Sequence, residues 1–152
     1  MTGRMAHFFS ITLKPLSDRS TRRHVERYRS SDGRKGSTLM GKPVFLLDVV
    51  GRTSGEPRPV MLMLVRRGDD LLVCGSNAGN SKTPNWYLNL MATGGADVQV
   101  GAERWTTTAR ELPEGAERDE CWTLLTDAYP DFASYQEFTE RRLPVAVLER
   151  VP

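Results

Sequence analysis

The sequence has 152 residues, about the size of one globular domain and too short for two independent hydrophobic cores. Hydrophobic residues make up 39% and charged residues 26% of the chain, which excludes a disordered or low-complexity protein. The formal net charge is only +2, so the total charge does not indicate a nucleic-acid-binding protein, and we expect no nucleic-acid partner.

The charge is concentrated at the N-terminus. Residues 1–36 carry nine basic and three acidic side chains, a net charge of +6, so the remainder carries −4. We predict a basic N-terminal arm over residues 1–42, with a helix that is capped by Ser17 and Asp18 and ends at Arg29, followed by a loop. At roughly 1 kcal/mol per well-placed basic residue, we expect at most weak peripheral contact of this arm with an anionic membrane.

Cysteine and histidine usage argues against a metal site. Cys74 and Cys121 are far apart and form no C-x-x-C pair, while His7 and His24 both lie in the arm. The apolar run over residues 6–13 is too short and too polar to span a bilayer or to direct secretion. We therefore expect no metal and a cytoplasmic location, with any membrane contact at the inner face.

From residue 43 onwards, short apolar strands alternate with turns. The pattern predicts strands over 43–50, 60–65, 71–75, 97–100, 104–112 and 143–148, with hairpin turns at 67–70 and 101–103. Helices are predicted over 84–93, 121–129 and 132–142, with Thr83 as the N-cap of the first. Consecutive hairpins favour an antiparallel sheet or small barrel, so the expected fold class is α+β and mainly β, with one domain over residues 43–152.

Two loops have the composition of anion-binding segments. Residues 51–58 combine two glycines, two hydroxyl side chains and two arginines, which suits a phosphate or carboxylate. Residues 76–84 lead into a helix N-terminus, where free amides and the helix dipole attract an anion. Each loop alone is better explained as a solvated turn, but together, on strands expected to be adjacent, they favour a ligand with a phosphate tail and a flat ring.

A third cluster is aromatic. Tyr129 closes one predicted helix, and Phe132 and Tyr135 lie three residues apart on the next. Aromatic residues at this spacing are more often core than catalytic. The alternative is an aromatic wall over a planar ring, with a phenol as the proton donor.

These motifs, in this order, resemble the deazaflavin-dependent nitroreductase family. They are the turn Gly-Arg-Thr-Ser-Gly-Glu-Pro-Arg, the helix start Pro-x-Trp-Tyr-Leu-Asn-Leu, and the ending Tyr-Pro-x-Phe-x-x-Tyr-Gln with Arg-x-Leu-Pro-Val. The family comprises actinobacterial reductases that use coenzyme F420, an 8-hydroxy-5-deazaflavin with a ribityl phosphate and an oligoglutamate tail. The resemblance covers about residues 43–149 and implies a split β-barrel, related to FMN-binding domains and surrounded by helices.

The resemblance also implies a set of site residues. Its cofactor-binding positions lie on the first turn and strand, the second loop and the helix start: Arg52, Thr53, Ser54, Arg58, Pro59, Val60, Met61, Leu62, Met63, Cys74, Gly75, Ser76, Asn77, Asn85, Trp86, Tyr87, Leu88 and Asn89. Its catalytic positions are Tyr129, Tyr135 and Ser76, and Phe132 would contact the substrate. Many members carry lysine where this chain has Thr53, a relative can carry lysine in place of Asn77, and Phe132 stands where a tyrosine is implicated in substrate reduction.

The implied function is hydride transfer from reduced F420 to an electron-poor acceptor such as a quinone, an enone or a nitroaromatic. The hydride chemistry belongs to the cofactor, and the protein supplies orientation and protons. Because phenylalanine cannot donate a proton, Tyr129 and Tyr135 are the expected donors. Two alternatives are an FMN-dependent reductase of the same fold and a non-catalytic module that binds the cofactor or a membrane surface. The sequence does not indicate an oligomeric state.

Overall fold

A computed structural model describes the backbone of residues 14–152 and the side chains from residue 19 onwards. The apolar run over residues 6–13, with His7, lies outside the described residues. The helices are α1 (Lys14–Ser30), α2 (Asn85–Thr93), α3 (Ala116–Ala128) and α4 (Asp131–Glu137). The strands are β1 (Thr38–Leu39), β2 (Lys42–Asp48), β3 (Val60–Met63), β4 (Arg66–Arg67), β5 (Asp70–Cys74), β6 (Gly95–Val100), β7 (Glu103–Glu111) and β8 (Val145–Arg150).

The strands form one curled antiparallel sheet. Its order is β1-β2-β6-β7-β8-β5-β4, and β3 pairs with β2, in a register that sets Val44 opposite Met63. The hairpins at residues 67–70 and 101–103 join β4 to β5 and β6 to β7. The second is as predicted, whereas the first was expected to join the strand over 60–65 to β5, and that strand instead ends at Met63 and pairs with β2. Among the described strands β3 has no second partner, so the barrel is open between β3 and β5. The predicted fold class, a mainly β split barrel with surrounding helices, is confirmed.

Both faces of the sheet are buried, and the central strands divide their side chains between the two faces. On β5, Leu71 and Val73 pack on one face beneath α2, while Leu72 and Cys74 pack on the other against α3 and α4. β8 alternates in the same way. This double burial explains why the strands read as continuous apolar runs.

The helix of the basic arm packs on the barrel. Val25 and Tyr28 of α1 are buried against Leu46 of β2. The Tyr28 hydroxyl donates to the carbonyl of Gln99 at 3.2 Å and accepts from the amide of Gly101 at 2.7 Å. Residues 19–36 are therefore held by contacts that charge and periodicity did not predict.

Several element boundaries differ from the predictions; α3, for example, begins at Ala116 and not at residue 121. The helix α1 is already formed at Lys14, so Ser17 and Asp18 lie inside it and do not cap it. Pro84, with an extended ψ of 149°, is the N-cap of α2, so the prediction of Thr83 as cap was wrong. The helix α4 ends at Glu137, because the Gln136 side chain turns the following segment back by donating to the Arg141 carbonyl at 2.8 Å.

Candidate active site

The opening between β3 and β5 leads into a cavity of about 770 Å³. It is bounded by β3, the end of β5, residues 76–84, the start of α2 and an aromatic cluster from α3 and α4. Sites for small molecules and cofactors span roughly 300–1,000 Å³, so this one has room for a large ligand.

One wall is a strand edge. β3 pairs with β2 and with no other strand among residues 14–152, and all four of its residues are half-buried and line the cavity. An unpaired edge offers backbone N–H and C=O groups at a regular spacing. Such groups match the alternating donors and acceptors at the rim of a planar heterocycle.

The N-terminus of α2 forms a second wall. No side chain caps this helix, and the Pro84 carbonyl accepts from the amides of Tyr87 and Leu88. The amides of Asn85 and Trp86 have no intrahelical acceptor, as in the first turn of any helix, and both residues line the cavity. With the exposed Lys82 beside them, these amides and the helix dipole form a place for an anion.

Arg52 links the first turn to α2. Its backbone N–H and its Nη1 both donate to Asn89 Oδ1, at 3.0 and 2.7 Å, and its Nη2 donates to Asn85 Oδ1 at 3.4 Å. These bonds join the first turn to the helix that follows residues 76–84, although β2 and β5 are separated in the sheet by three other strands. The expectation of adjacent strands was therefore wrong, and the curl of the sheet brings the first turn to α2.

The rest of the first turn is exposed. Arg58 donates to Glu56 Oε2 at 3.4 Å and to the Pro57 carbonyl at 3.2 Å, and Ser54 Oγ accepts from the Glu56 amide. Thr53 is exposed as well. These side chains lie at the surface beside the α2 end of the cavity and not in its lining.

The loop that follows β5 is tightly constrained. Asn77 and Ala78 adopt positive φ values of 46° and 54°, and Asn77 Nδ2 donates to the Lys82 carbonyl at 2.9 Å. Gly79 has φ of 81°, and a Cβ there would lie 2.7 Å from the Tyr135 carbonyl oxygen. Only glycine allows this close approach, which fixes the loop against α4.

Arg141 binds the backbone carbonyls of the same loop. Its Nε donates to the Asn80 carbonyl at 2.9 Å, and its Nη2 lies within hydrogen-bond distance of the carbonyls of Gly75, Ser76 and Lys82. Burial lowers the pKa of this guanidinium, and its Nη1 is buried with no partner among the described residues. The sequence motif contained Arg141, but nothing in the spacing assigned it this role.

The aromatic cluster closes the far wall. The Tyr129 and Tyr135 rings are 6.1 Å apart, and Phe132 meets Tyr129 edge-on at 4.9 Å. The two tyrosine hydroxyls are 3.0 Å apart and share one hydrogen bond. A hydroxyl pair uses only one of its two protons internally, and besides burial the nearby Asp131 carboxylate also acts on both phenols, raising the pKa of each.

Burial affects the titration of this wall. Desolvation is the main cause that raises the pKa of both Tyr129 and Tyr135 above the ordinary phenol value, which itself lies well above 7, so both phenols are neutral near pH 7. Burial also raises the pKa of the Cys74 thiol to about 12. Cys74 therefore lines the cavity as an unreactive thiol.

The structure brings together twelve of the residues implied by the resemblance. The cavity is lined by Val60, Met61, Leu62, Met63, Cys74, Ser76, Asn77, Asn85, Trp86, Tyr129, Phe132 and Tyr135. The others lie outside the lining: Arg52, Thr53, Ser54, Arg58, Pro59, Gly75, Tyr87, Leu88 and Asn89. Tyr87 is buried and donates to Glu111 Oε1 at 2.7 Å, which ties α2 to β7.

Other lining residues gave no functional signal in the sequence. They include Leu39, Met40, Val44, Leu72 and Leu125. Leu72 and Leu125 read as ordinary core positions, because an apolar wall and a core have the same pattern. Among the described residues no three histidine, cysteine or acidic side chains lie together as metal ligands, and no helix is long and apolar enough to cross a bilayer.

Comparison with known proteins gives consistent matches. The family model described as F420H(2)-dependent quinone reductase matches residues 20–150. The F420H(2)-dependent quinone reductase Rv1261c of Mycobacterium tuberculosis (strain ATCC 25618 / H37Rv) is 33% identical over 132 residues, 85% of this chain and 89% of that protein.

Two solved structures share both sequence and fold. One, "Structure of F420-H2 Dependent Reductase (FDR-A)", is 38% identical with a TM-score of 0.66, and the match covers 74% of this chain and 98% of that one. The other, described as a domain-swapped dimer, is 36% identical with a TM-score of 0.68, covering 84% and 96%.

Proposed function

The chain belongs to the F420H(2)-dependent quinone reductase family, and we propose that it reduces a quinone-type acceptor in the cavity between β3 and β5, with coenzyme F420 as the hydride donor. The observation that carries the proposal is the arrangement of this one cavity. An uncapped helix N-terminus lies at one wall and a buried pair of tyrosine hydroxyls at another.

The residues present fit this cofactor. The amides at the start of α2, with Lys82 and Arg52 nearby, suit the phosphate and the carboxylates of its tail. The free edge of β3 and the side chain of Trp86 suit a flat ring system. When bound, the reduced cofactor supplies a hydride to the acceptor.

The chain itself would contribute a proton. Reduction of a quinone to a hydroquinone takes up one hydride and one proton in total. The neutral hydroxyls of Tyr129 and Tyr135 line the cavity and are the proposed donors of that proton, which solvent then replaces. Phe132 adds an apolar surface for the acceptor ring and no proton.

Family membership favours F420 over FMN and favours an enzyme over a non-catalytic binding module. Among acceptors, we expect a quinone to react fastest, because the relatives that match most of this chain are F420H(2)-dependent quinone reductases. We expect enones and nitroaromatics to be slower acceptors.

We also propose weak peripheral contact with anionic membranes through α1. Arg19, Arg22, Arg23 and Arg27 are exposed and share one helix face, opposite the buried Val25 and Tyr28. The protein should therefore sediment with anionic vesicles at low salt and be released at high salt. Retention on vesicles at high salt would contradict this electrostatic contact.

The activity is tested by anaerobic oxidation of reduced F420, followed by the return of the oxidised cofactor's absorbance. A quinone, an enone and a nitroaromatic are supplied at matched concentrations, with enzyme-free reactions as the blank. The proposal expects enzyme-dependent oxidation that is fastest with the quinone. Absence of enzyme-dependent oxidation with every quinone tried would refute it.

A further inference from the structure

We propose that Leu39 and Met40 form an apolar lip on the cavity and bind the substituent that a quinone acceptor carries outside its ring, so that the protein prefers quinones with an alkyl side chain. This inference rests on the proposed function and adds the part of the acceptor that is recognised outside the ring. It assigns a subsite to the β1–β2 hairpin.

The lip is an exposed apolar tip. Met40 is 67% exposed and Leu39 43% exposed, and both line the cavity. Neither packs in a core cluster of the described residues. Two large apolar side chains are therefore left in water at the mouth of a ligand-sized cavity, where a bound apolar group would cover them.

The backbone at this tip is also unfavourable for the residue it carries. Met40 and Gly41 form the two central positions of the turn between Leu39 and Lys42, with φ of 52° and 75°. Turns with two positive φ values favour asparagine, aspartate or glycine at the first position. Met40 therefore exposes an apolar side chain to water and also holds its backbone in a strained conformation. Backbone strain of this kind is concentrated at functional sites.

The lip lies at the end of β3 that is farther from the Arg52 turn. The ribbon of β2 and β3 has the Arg52 turn at one end, next to the start of α2, and Val44 opposite Met63 at the other end, next to the β1–β2 hairpin. The Arg52 turn and the apolar lip therefore lie at opposite ends of β3, a four-residue strand that is about 13 Å long. With the charged tail of the cofactor at the first end, the second end is left for the acceptor.

The test compares two acceptors with the same ring. One is 2,3-dimethoxy-5-methyl-1,4-benzoquinone, and the other is the same quinone with a decyl chain on the ring. Steady-state KM and kcat are measured for both acceptors with the wild type and with Met40→Asn and Leu39→Ser. Val151→Ser is the matched control, because Val151 is 41% exposed and lies outside the cavity lining.

We expect the KM for the decyl quinone to rise about fivefold in Met40→Asn and in Leu39→Ser, as loss of a modest apolar contact predicts. The KM for the quinone without the decyl chain and the affinity for F420 should stay within twofold of the wild type. Since asparagine tolerates positive φ, Met40→Asn should also melt at the wild-type temperature or above it. A purely structural role would instead lower the melting temperature and affect both acceptors.

Equal changes in KM for the two quinones, or no change for either, would refute the proposed subsite at the lip while leaving the proposed function in place. If the wild type oxidises reduced F420 with neither quinone, the proposed function itself fails. Should Met40→Asn fold poorly, the strain argument is wrong, and Leu39→Ser alone then decides the subsite.

Discussion

The hydrogen bond between Tyr129 and Tyr135 gives the sharpest quantitative prediction for this site. Both side chains are buried, 6% and 5% exposed, and their hydroxyls are 3.0 Å apart. Replacing either by phenylalanine leaves the other hydroxyl without its partner, which costs about 1–2 kcal/mol of folding free energy. For a chain of this size we expect the melting temperature to fall by about 3–6 °C in each single variant.

The double variant shows whether the two hydroxyls act as a pair or independently of each other. The double variant loses the hydrogen bond between the two hydroxyls only once, so the loss of folding free energy should resemble that of one single variant and not the sum, with a coupling of about 1 kcal/mol. Because the pair supplies the proton, kcat for the quinone should fall at least about 100-fold in a single variant and little further in the double.

Thermal unfolding and steady-state kinetics on the three variants check both statements. Additive losses of stability would show that the hydroxyls do not interact. Single variants with kcat within twofold of the wild type would remove both tyrosines from the chemistry and leave them a packing role.

Three further predictions concern charged side chains. Arg141→Gln should weaken F420 binding about tenfold, because the loop of residues 76–82 loses a guanidinium that four carbonyls accept from; fluorescence titration measures it. Arg58→Ala should weaken F420 binding at low salt without changing the melting temperature, since its side chain is half exposed. Glu117 accepts from Arg110 and Arg67, and these bonds lower its pKa from the ordinary value of 4.5 to about 2. Ionised Glu117 therefore stabilises the fold above about pH 4.5, and this contribution is lost as the pH falls towards 2, so melting curves of the wild type and Glu117→Gln should converge over that range.

Each of these has its control and its contrary result. Arg142→Gln, which removes an exposed pair with Glu114, should leave F420 affinity unchanged; equal losses at Arg141 and Arg142 would show a general charge effect. Unchanged affinity in Arg58→Ala at all salt concentrations would remove the first turn from the cofactor site. A constant difference between the Glu117 melting curves from pH 7 to pH 2 would contradict the assigned pKa.

The mainly β fold could be predicted because its determinants are local. Apolar strands alternate with short turns at residues 67–70 and 101–103, and each such turn forces antiparallel neighbours. The packing of α1 could not be predicted, because it depends on single contacts such as the Tyr28 hydroxyl on Gly101, 73 positions away. Solvent-facing arginines dominate the sequence pattern of that helix, and among its side chains from residue 19 onwards only Val25 and Tyr28 are buried.

The candidate site divides in a similar way. The anion-binding character of residues 51–58 and 76–84 follows from composition. The approach of the first turn to α2, the helix that follows residues 76–84, depends on the curl of the sheet and on the hydrogen bond from Arg52 to Asn89. The role of Arg141 could not be predicted, since its partners are backbone carbonyls, which any sequence supplies. The place of Met40 at the cavity could not be predicted, because its exposure and its positive φ are properties of the fold alone.

Coenzyme F420 is the ligand on which the assignment of the cavity depends most directly. Purified protein is titrated with oxidised F420 and, at the same concentrations, with FMN, and binding is followed by the fluorescence of each. We expect saturable binding of F420 in the micromolar range and binding of FMN at least about tenfold weaker, because FMN lacks the carboxylates that the α2 end of the cavity would hold. Equal or tighter binding of FMN, or no binding of F420, would contradict the assignment of this cavity.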